Sequence, residues 1–205
     1  MAPLLTTAFC PPVEYFAVLA RYSSVYMEAC ENYVKQSWRN RCRILTANGP
    51  MDLTVPVSHP ARKITEVRVD YSTPWVAKFE RAVESAYYSS PFFIYYKDAL
   101  WEILDSHPQT LWELNGRLIE FFCAKIGIAP QIIATADFIP PGALSLGGMD
   151  LREVIHPKRK NTILADLGLD RPYWQVFRER FGFVPGLSVM DLLFNEGPES
   201  ICLLR

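Results

Sequence analysis

Residues 32–57 read NYVKQSWRNRCRILTANGPMDLTVPV and contain the clearest local structural signal in the chain. Asn48-Gly49 is a dipeptide that type I′ turns favour, because both central residues of that turn need positive φ. A two-residue turn at this point predicts a β-hairpin over about residues 38–58. The turn sets four opposed pairs, which are Ile44 with Leu53, Cys42 with Val55, Arg43 with Thr54, and Arg41 with Pro56. One face of the predicted hairpin is therefore apolar and the other is cationic.

The first strand of this hairpin carries an arginine at every second position, at Arg39, Arg41 and Arg43. Side chains two residues apart on a strand share a face, so the pattern predicts three aligned guanidinium groups. Guanidinium groups match carboxylates and phosphates bidentately, and the face therefore predicts an anion-binding site. The alternative is a face that is neutralised within the protein by one of three nearby acids, Glu28, Glu31 or Asp52.

The segments around the hairpin predict an alternation of strands and helices. Strands are expected at residues 4–9, 25–30, 64–69 and 131–136, and helices at 13–22, 92–104, 172–181 and 189–194. A further helix starts after Thr73-Pro74, and another starts at a capping box of Thr110 and Glu113 and ends at Gly127. This order predicts one domain over residues 1–205 of the α/β class, a mixed sheet with helices packed on it, with α+β as the alternative.

The composition indicates a globular protein with a sizeable core. Half of the residues are hydrophobic and 21% are charged. The net charge of −1 argues against a general nucleic-acid-binding protein, so any anion recognition has to be local. The first residues lack the basic and apolar regions of a signal peptide, and no apolar run reaches the roughly 18 residues of a transmembrane helix. We therefore expect a cytoplasmic protein without a transmembrane segment.

Cysteines and histidines give no metal or cofactor signal. The five cysteines are widely spaced without a CxxC pair, which favours neither a disulfide framework nor a zinc ribbon. The three histidines, His59, His107 and His156, each precede a proline, and no two have metal-ligand spacing. Walker, GxGxxG, GxSxG and HExxH patterns do not occur, and Gly147-Gly148 alone does not indicate a phosphate loop. The sequence predicts no metal and no cofactor.

Two glutamates are candidate catalytic bases. Ligands of α/β folds bind at the carboxyl ends of the strands, and the predicted opening brings Glu14, Tyr15 and Glu28 to that rim. A glutamate beside a cationic strand suits general acid–base chemistry, with an ordinary salt bridge as the alternative. Residues 137–160 are the least regular part of the chain and are either a mobile loop over a site or a surface excursion. Their Lys158-Arg159-Lys160 run is at most a weak membrane-surface signal.

Two polar residues lie inside predicted helices. Asn115 has poor helix propensity, so it either bonds another element or faces solvent. Asp191 is three residues after Ser188, which fits an acid in the first turn of a capped helix.

Several separate segments resemble the WbqC-like protein family. They are PPVEYFAVL (11–19), NYVKQSWRNRCRI (32–44), NGPMDLTVPV (48–57), ITEVRVDYSTPW (64–75) and SAYYSSPFF (85–93). The terminal block FGFVPGLSVMDLLFNEGPES (181–200) resembles the ending of the Bacteroidetes form of that family. The likeness covers nearly the whole chain and is weakest at residues 137–160.

The resemblance implies a role in O-antigen and other surface-polysaccharide biosynthesis. A transferase that puts an amino-acid group such as glycine on a sugar is the activity it suggests. The motif positions that we assign to substrate binding are Tyr15, Tyr33, Lys35, Arg39, Asn40 and Arg41, to which the strand pattern adds Arg43. Where many members read dDvqf.K.sw.nRn, this chain has Met27-Glu28-Ala29-Cys30, and Glu28 takes the place of the acid.

The residues and the resemblance together predict a transferase with an arginine-lined anion-binding site. Its ligand is an anionic small molecule, such as a sugar phosphate or nucleotide, and its base is Glu28 or Glu14. The alternative is a non-catalytic binding or scaffold protein, as a homo-oligomer that uses the aromatic-rich surface.

Overall fold

The computed structural model describes residues 2–58, 62–143 and 148–205. The chain opens as predicted with a strand, β1 (Leu4–Leu5), a helix, α1 (Val13–Arg21), and a parallel strand, β2 (Ser24–Met27). A later strand, β5 (Gln131–Ala134), pairs in parallel with the other side of β2, so the sheet order is β1-β2-β5. His59, Pro60 and Gly147 lie outside the described residues.

The β-hairpin is confirmed, but its predicted register is wrong. Strand β3 (Arg41–Thr46) pairs antiparallel with β4 (Gly49–Thr54), and Thr46 lies opposite Gly49. The connecting residues are therefore 47 and 48, and Gly49 belongs to the strand with a φ of +106°. A tertiary contact holds this end of the hairpin, because Arg180 donates a hydrogen bond to the Ala47 carbonyl. The pairing moves by two residues, which keeps each side chain on its predicted face but changes its partner.

Arg39 does not continue the strand. Residues Trp38–Asn40 form a short 3₁₀ helix that precedes β3. Contacts from distant elements hold this turn, because the Phe9 amide donates to the Trp38 carbonyl at 2.8 Å and the Asn115 side chain donates to the Arg39 carbonyl at 2.9 Å. The prediction of three arginines on one strand face is wrong for this reason.

Three helices cover the middle of the chain, α2 (Trp75–Tyr87), α3 (Phe93–Asp105) and α4 (Leu111–Ile126). Thr110 caps α4 as predicted, because its hydroxyl accepts from the Glu113 amide at 3.2 Å. Gly127 ends α4 in the left-handed conformation, with a φ of +83°. Asn115 takes the first of its two predicted roles, since it is buried and bonds another element.

Two predicted elements differ from the structure. Residues 64–69 form a 3₁₀ turn, Ile64–Glu66, and two isolated bridges instead of a strand, one of which joins Val69 to Val57. Residues 172–181 contain only a short helix, α6 (Arg178–Phe181), because the Gln175 side chain bonds the backbone of Val184 in both directions. The remaining helices are α5 (Ile163–Asp166) and α7 (Val189–Glu196), followed by a 3₁₀ segment, Gly197–Leu203.

A continuous hydrophobic cluster unites these elements. It runs from Leu5 near the start of the chain to Leu204 near its end and includes the inner faces of α1, α2, α4 and α7. The fold is thus a mixed arrangement in which a small parallel sheet and an antiparallel hairpin pack with helices, as the α/β and α+β expectations both require. Within the described parts of the chain, no helix is long and apolar enough to cross a membrane.

Candidate functional site

Glu28, the first predicted base, lies at the carboxyl end of β2 and is completely buried. Its Oε1 accepts from the Thr135 hydroxyl at 2.6 Å and from the Cys30 amide at 3.0 Å. Its Oε2 accepts from the Ile139 amide at 3.0 Å and from Arg152 Nη1 at 3.1 Å. Four hydrogen bonds satisfy both oxygens, so this carboxylate ties Thr135, Ile139 and Arg152 to the end of the sheet.

Arg39 is 2% exposed and forms a buried ion pair with Glu31. The pair is bidentate, with Nε 2.8 Å from Oε1 and Nη2 2.6 Å from Oε2. Thr6 also donates its hydroxyl to Glu31 Oε1. All of these groups face one another inside the protein. Arg39 is therefore neutralised by a nearby acid, which was the alternative to an anion-binding role.

Arg41 and Arg43 both meet Asp52, which lies directly opposite Arg43 in the hairpin. Arg43 bonds it through two nitrogens, at 2.7 and 3.2 Å, and Arg41 Nη1 lies 3.5 Å away. These side chains are 22–31% exposed, so the pairs lie at the surface. Asp52 is on the cationic face in either register, and the two-residue shift is what places it directly opposite Arg43.

The other predicted binding residues are dispersed. Tyr15 is 1% exposed, and its hydroxyl donates to the Thr6 carbonyl at 2.9 Å. Asn40 is buried and its amide donates to the Val55 carbonyl at 2.9 Å. Tyr33 is partly buried, which raises the pKa of its hydroxyl against the opposing effect of nearby arginines, while Lys35 is exposed. The structure therefore does not bring the predicted binding set together around one open space.

An open cleft of about 770 Å³ lies beside the amino terminus of α1, and we call it the Glu14 cleft. One wall comes from the first third of the chain, with Glu14, Trp38 and Arg43. The other wall comes mainly from residues 156–173 and is completed by Phe183 and nearby residues. Its volume lies within the range of small-molecule sites, which runs from about 300 to 1,000 Å³.

The start of α1 is fixed by the C-terminal part of the chain. Pro11-Pro12 precede the helix, the Val13 amide donates to the Leu187 carbonyl at 3.0 Å, and the Val189 amide donates to the Pro11 carbonyl at 2.8 Å. This crossing places Glu14 in the first helical turn, where an acidic side chain is favourable. Only one of its two carboxylate oxygens has a hydrogen-bond partner among the described residues.

Glu14 is 6% exposed, and only one of its oxygens is bonded. Oε1 accepts from the Asn161 amide at 3.2 Å, and Oε2 has no hydrogen-bond partner among the described residues. Burial raises the pKa of this carboxyl, against the effects of its own backbone amide and Asn161. A buried carboxyl with a raised pKa and an unused oxygen on a cleft is a candidate proton acceptor.

Trp38 provides the second unsatisfied group of the cleft. It is 4% exposed, and its indole nitrogen has no acceptor among the described residues. The Arg43 guanidinium lies 5.5 Å from the centre of its ring, within cation–π distance. The same wall therefore offers a buried donor, Trp38 Nε1, and a buried acceptor, Glu14 Oε2, both lacking a partner.

Positive charge dominates the part of the lining that comes from residues 156–173. Lys158, Lys160 and Arg171 line the cleft, are exposed and form no ion pair within the described residues; we call them the rim cations. Lys158 donates to the Gln36 side chain, and Arg159 lies 3.5 Å from Glu153. Burial lowers the pKa of His156, so this ring tends to remain neutral. An anion entering the cleft meets several exposed cations.

Tyr173 connects the cleft to a buried carboxyl behind it. Its hydroxyl donates to Asp191 Oδ2 at 2.7 Å, and Gln175 donates to the same oxygen at 3.0 Å. Asp191 thus faces inward instead of serving only the first turn of α7. Burial raises its pKa to about 6, although these hydrogen bonds act in the opposite direction.

Glu14 is the predicted base that the structure places on an open cavity, and Arg43 is the predicted binding residue beside it. Sequence reasoning missed Trp38, Asn161, Tyr173 and Arg171, since they are far apart in the chain and belong to no shared motif. The Lys158-Arg159-Lys160 run was the available signal, interpreted as a weak membrane contact. Among the described residues, no group of three or more His, Cys, Asp or Glu could hold a metal ion.

Comparisons with known proteins agree with the resemblance seen in the segments. The chain is 28% identical over 212 residues to Uncharacterized protein Rv1507c of Mycobacterium tuberculosis, covering 93% of this chain and 91% of that protein. No solved structure matches significantly. The sequence model of the WbqC-like protein family matches residues 7–151, which include Glu14, Trp38 and Arg43 but not the wall at 156–173. The chain belongs to the WbqC-like protein family.

Proposed function

We propose that this protein is a transferase of surface-polysaccharide biosynthesis, such as O-antigen, that acts on an anionic substrate in the Glu14 cleft. The observation that carries the proposal is the buried Glu14 carboxylate, with one oxygen unpartnered, on a cavity that is also lined by exposed cations. Family membership supports the polysaccharide context, through the role that the resemblance implies. Transfer of an amino-acid group such as glycine to a sugar is the reaction that we propose to test first.

Glu14 acts as the general base in this scheme. As the acceptor's amine or hydroxyl attacks the carbonyl carbon of an activated acyl donor, Glu14 takes the proton that the attacking atom loses. The bond to the leaving group then breaks, and the leaving group departs with that electron pair. A base is most effective when its pKa approaches the working pH, which is the direction in which burial moves Glu14.

The cations have a separate task. Lys158, Lys160 and Arg171 hold the anionic group of the substrate, and exposed flexible side chains can follow it during binding. Asn161 positions the base, because its amide donates to Glu14 Oε1 and its own oxygen accepts from the Ile163 amide at 3.2 Å. The cytoplasm, where activated donors are made, is the proposed compartment.

The test is acyl transfer by the purified protein to amino-sugar phosphates from an activated glycyl donor, followed by mass spectrometry of the product. Glu14→Gln keeps the shape of the side chain and should lower the rate by about 10²-fold or more, while ligand binding remains. Glu102→Gln, an exposed change on α3, is the matched control and should leave the rate unchanged. A product formed equally well by Glu14→Gln would refute the assignment of the base.

A non-catalytic binding protein is the second candidate. It is favoured because Glu28 and Arg39 are both held in internal ion pairs. These are two of the residues predicted from the sequence to act in catalysis or substrate binding, and neither is free to contact a substrate. This candidate predicts that ligand binds the same cleft but that no bond is made or broken under any donor tested.

A further inference from the structure

We infer that the Glu14 cleft selects a ligand with two negative charges on phosphoryl oxygens, attached to a ring that carries a free hydroxyl or amine. A sugar 1-phosphate and a diphosphate-linked nucleotide sugar share this chemistry. The inference rests on the proposed function for its location, and it specifies the substrate class.

The first support is the charge of the lining. Two of the cations in the walls already have acidic partners, since Arg43 bonds Asp52 and Arg159 lies near Glu153. The rim cations, Lys158, Lys160 and Arg171, have none within the described residues. The acids of the lining are Asp170, which precedes Arg171 in the chain, and Glu14, which belongs to α1. The rim cations together with Asp170 therefore carry an excess of about two positive charges in their part of the lining, which a dianion neutralises.

The second support is the pair of unsatisfied groups on the other wall. Glu14 Oε2 needs a donor and Trp38 Nε1 needs an acceptor. A hydroxyl group is both a donor and an acceptor, so a ring hydroxyl can serve either group; an amine can serve the glutamate. Unpartnered buried polar atoms are costly in a folded protein, and a ligand that satisfies both recovers that cost.

The third support is that both chemistries line one cleft. The unsatisfied groups belong to residues 14 and 38, whereas the rim cations belong to residues 158–171, and Asn161 joins the two sets by donating to Glu14 Oε1 at 3.2 Å. A ligand that meets both sets must have an anionic end and a polar ring end. Inorganic phosphate meets only the first requirement, and a neutral sugar meets only the second.

The experiment is calorimetric titration of the full chain with four probes at about 0.1 M salt, where exposed charges are partly screened. The dianionic probes are N-acetylglucosamine 1-phosphate and UDP-N-acetylglucosamine. N-acetylglucosamine supplies only the sugar part of these probes, and inorganic phosphate supplies only the phosphoryl part. We expect at least one dianionic probe to bind at least about ten-fold more tightly than both parts. The better of the two dianionic probes identifies the source of the phosphoryl group.

Lys160→Gln should weaken binding of the dianionic probe by about five-fold, and Lys160→Gln with Arg171→Gln should weaken it further. Lys78→Gln is the matched control, because Lys78 is exposed on α2 and does not line the cleft. These changes are at the surface, so the melting temperature should remain that of the wild type. Trp38→Phe removes the indole donor together with part of a buried ring, so its melting temperature is measured first; it should weaken the sugar-bearing probes without affecting inorganic phosphate.

The inference is overturned if the neutral sugar binds as tightly as its phosphate, if inorganic phosphate binds as tightly as both sugar-bearing dianions, or if no dianionic probe binds below ~1 mM. Tight, Lys160-dependent binding without any transfer product supports the inference and refutes the transferase. Transfer to a neutral sugar, with full activity in Lys160→Gln, supports the transferase and refutes the inference.

Discussion

Replacement of Arg39 by methionine should destabilise the protein strongly, although arginine is a residue type that usually lies at the surface. Arg39 is 2% exposed and makes two bonds to Glu31, at 2.8 and 2.6 Å. Without it, Glu31 keeps its burial and the Thr6 hydroxyl but loses its counter-charge. Loss of one partner of a buried ion pair costs about 3–5 kcal/mol, mainly because the remaining charge is uncompensated. We expect that loss in the free energy of unfolding, measured by urea titration at pH 7.

Two further variants separate charge from packing. Arg43→Met breaks a pair that is 28–31% exposed and should cost no more than ~1 kcal/mol. The double change Arg39→Met with Glu31→Met removes both buried charges, so it should recover most of the loss of the single variant. If Arg39→Met and Arg43→Met have the same small effect, Arg39 is not held by Glu31 in solution and becomes available to a ligand.

Two further predictions concern buried groups and glycines. Asp191→Asn should alter the pH dependence of stability: the native pKa of about 6 exceeds the value of 3.8 for the unfolded chain, so this group favours folding fully below pH 3.8 and loses that contribution as the pH rises through 6. The full loss is about 3 kcal/mol, and most of it falls between pH 4 and pH 8. In urea titrations at these two pH values, the stability of the variant relative to wild type should therefore be higher at pH 8 by most of that amount; a constant difference would contradict the raised pKa. Gly116→Ala, with no atom near the added Cβ inside α4, should raise the free energy of unfolding by about 0.5–1 kcal/mol. Gly197→Ala should lower it by about 2–3 kcal/mol, because the Cβ would lie 2.5 Å from the Phe92 ring, and equal effects of the two changes would refute this reasoning.

The hairpin illustrates how far local sequence signals reach. Asn48-Gly49 correctly located the reversal of the chain, because glycine tolerates the positive φ that such a reversal needs. The glycine can meet that need inside the turn or directly after it, and the dipeptide does not distinguish the two. Contacts from residues more than 130 positions away, such as Arg180 on the Ala47 carbonyl, accompany the second arrangement. Periodicity still predicted the faces correctly, since a shift of two residues preserves them, but it could not predict that Asp52 would oppose Arg43.

The two candidate bases show why the site itself was harder to predict than the fold. Glu14 and Glu28 look alike in the sequence, because both were expected near the carboxyl ends of the first two strands, and both are in fact buried. Their difference lies in their partners: Glu28 receives four hydrogen bonds, from residues at positions 30, 135, 139 and 152, whereas Glu14 receives one from a side chain, Asn161. Two of those donors, at positions 139 and 152, come from the irregular part of the chain, where no periodic pattern predicts position. A carboxylate that is fully satisfied stabilises a fold, while one that is buried and half satisfied beside a cavity is costly unless something else binds it. That cost is the physical reason for assigning the chemistry to Glu14 and not to the acid that the family motif suggested.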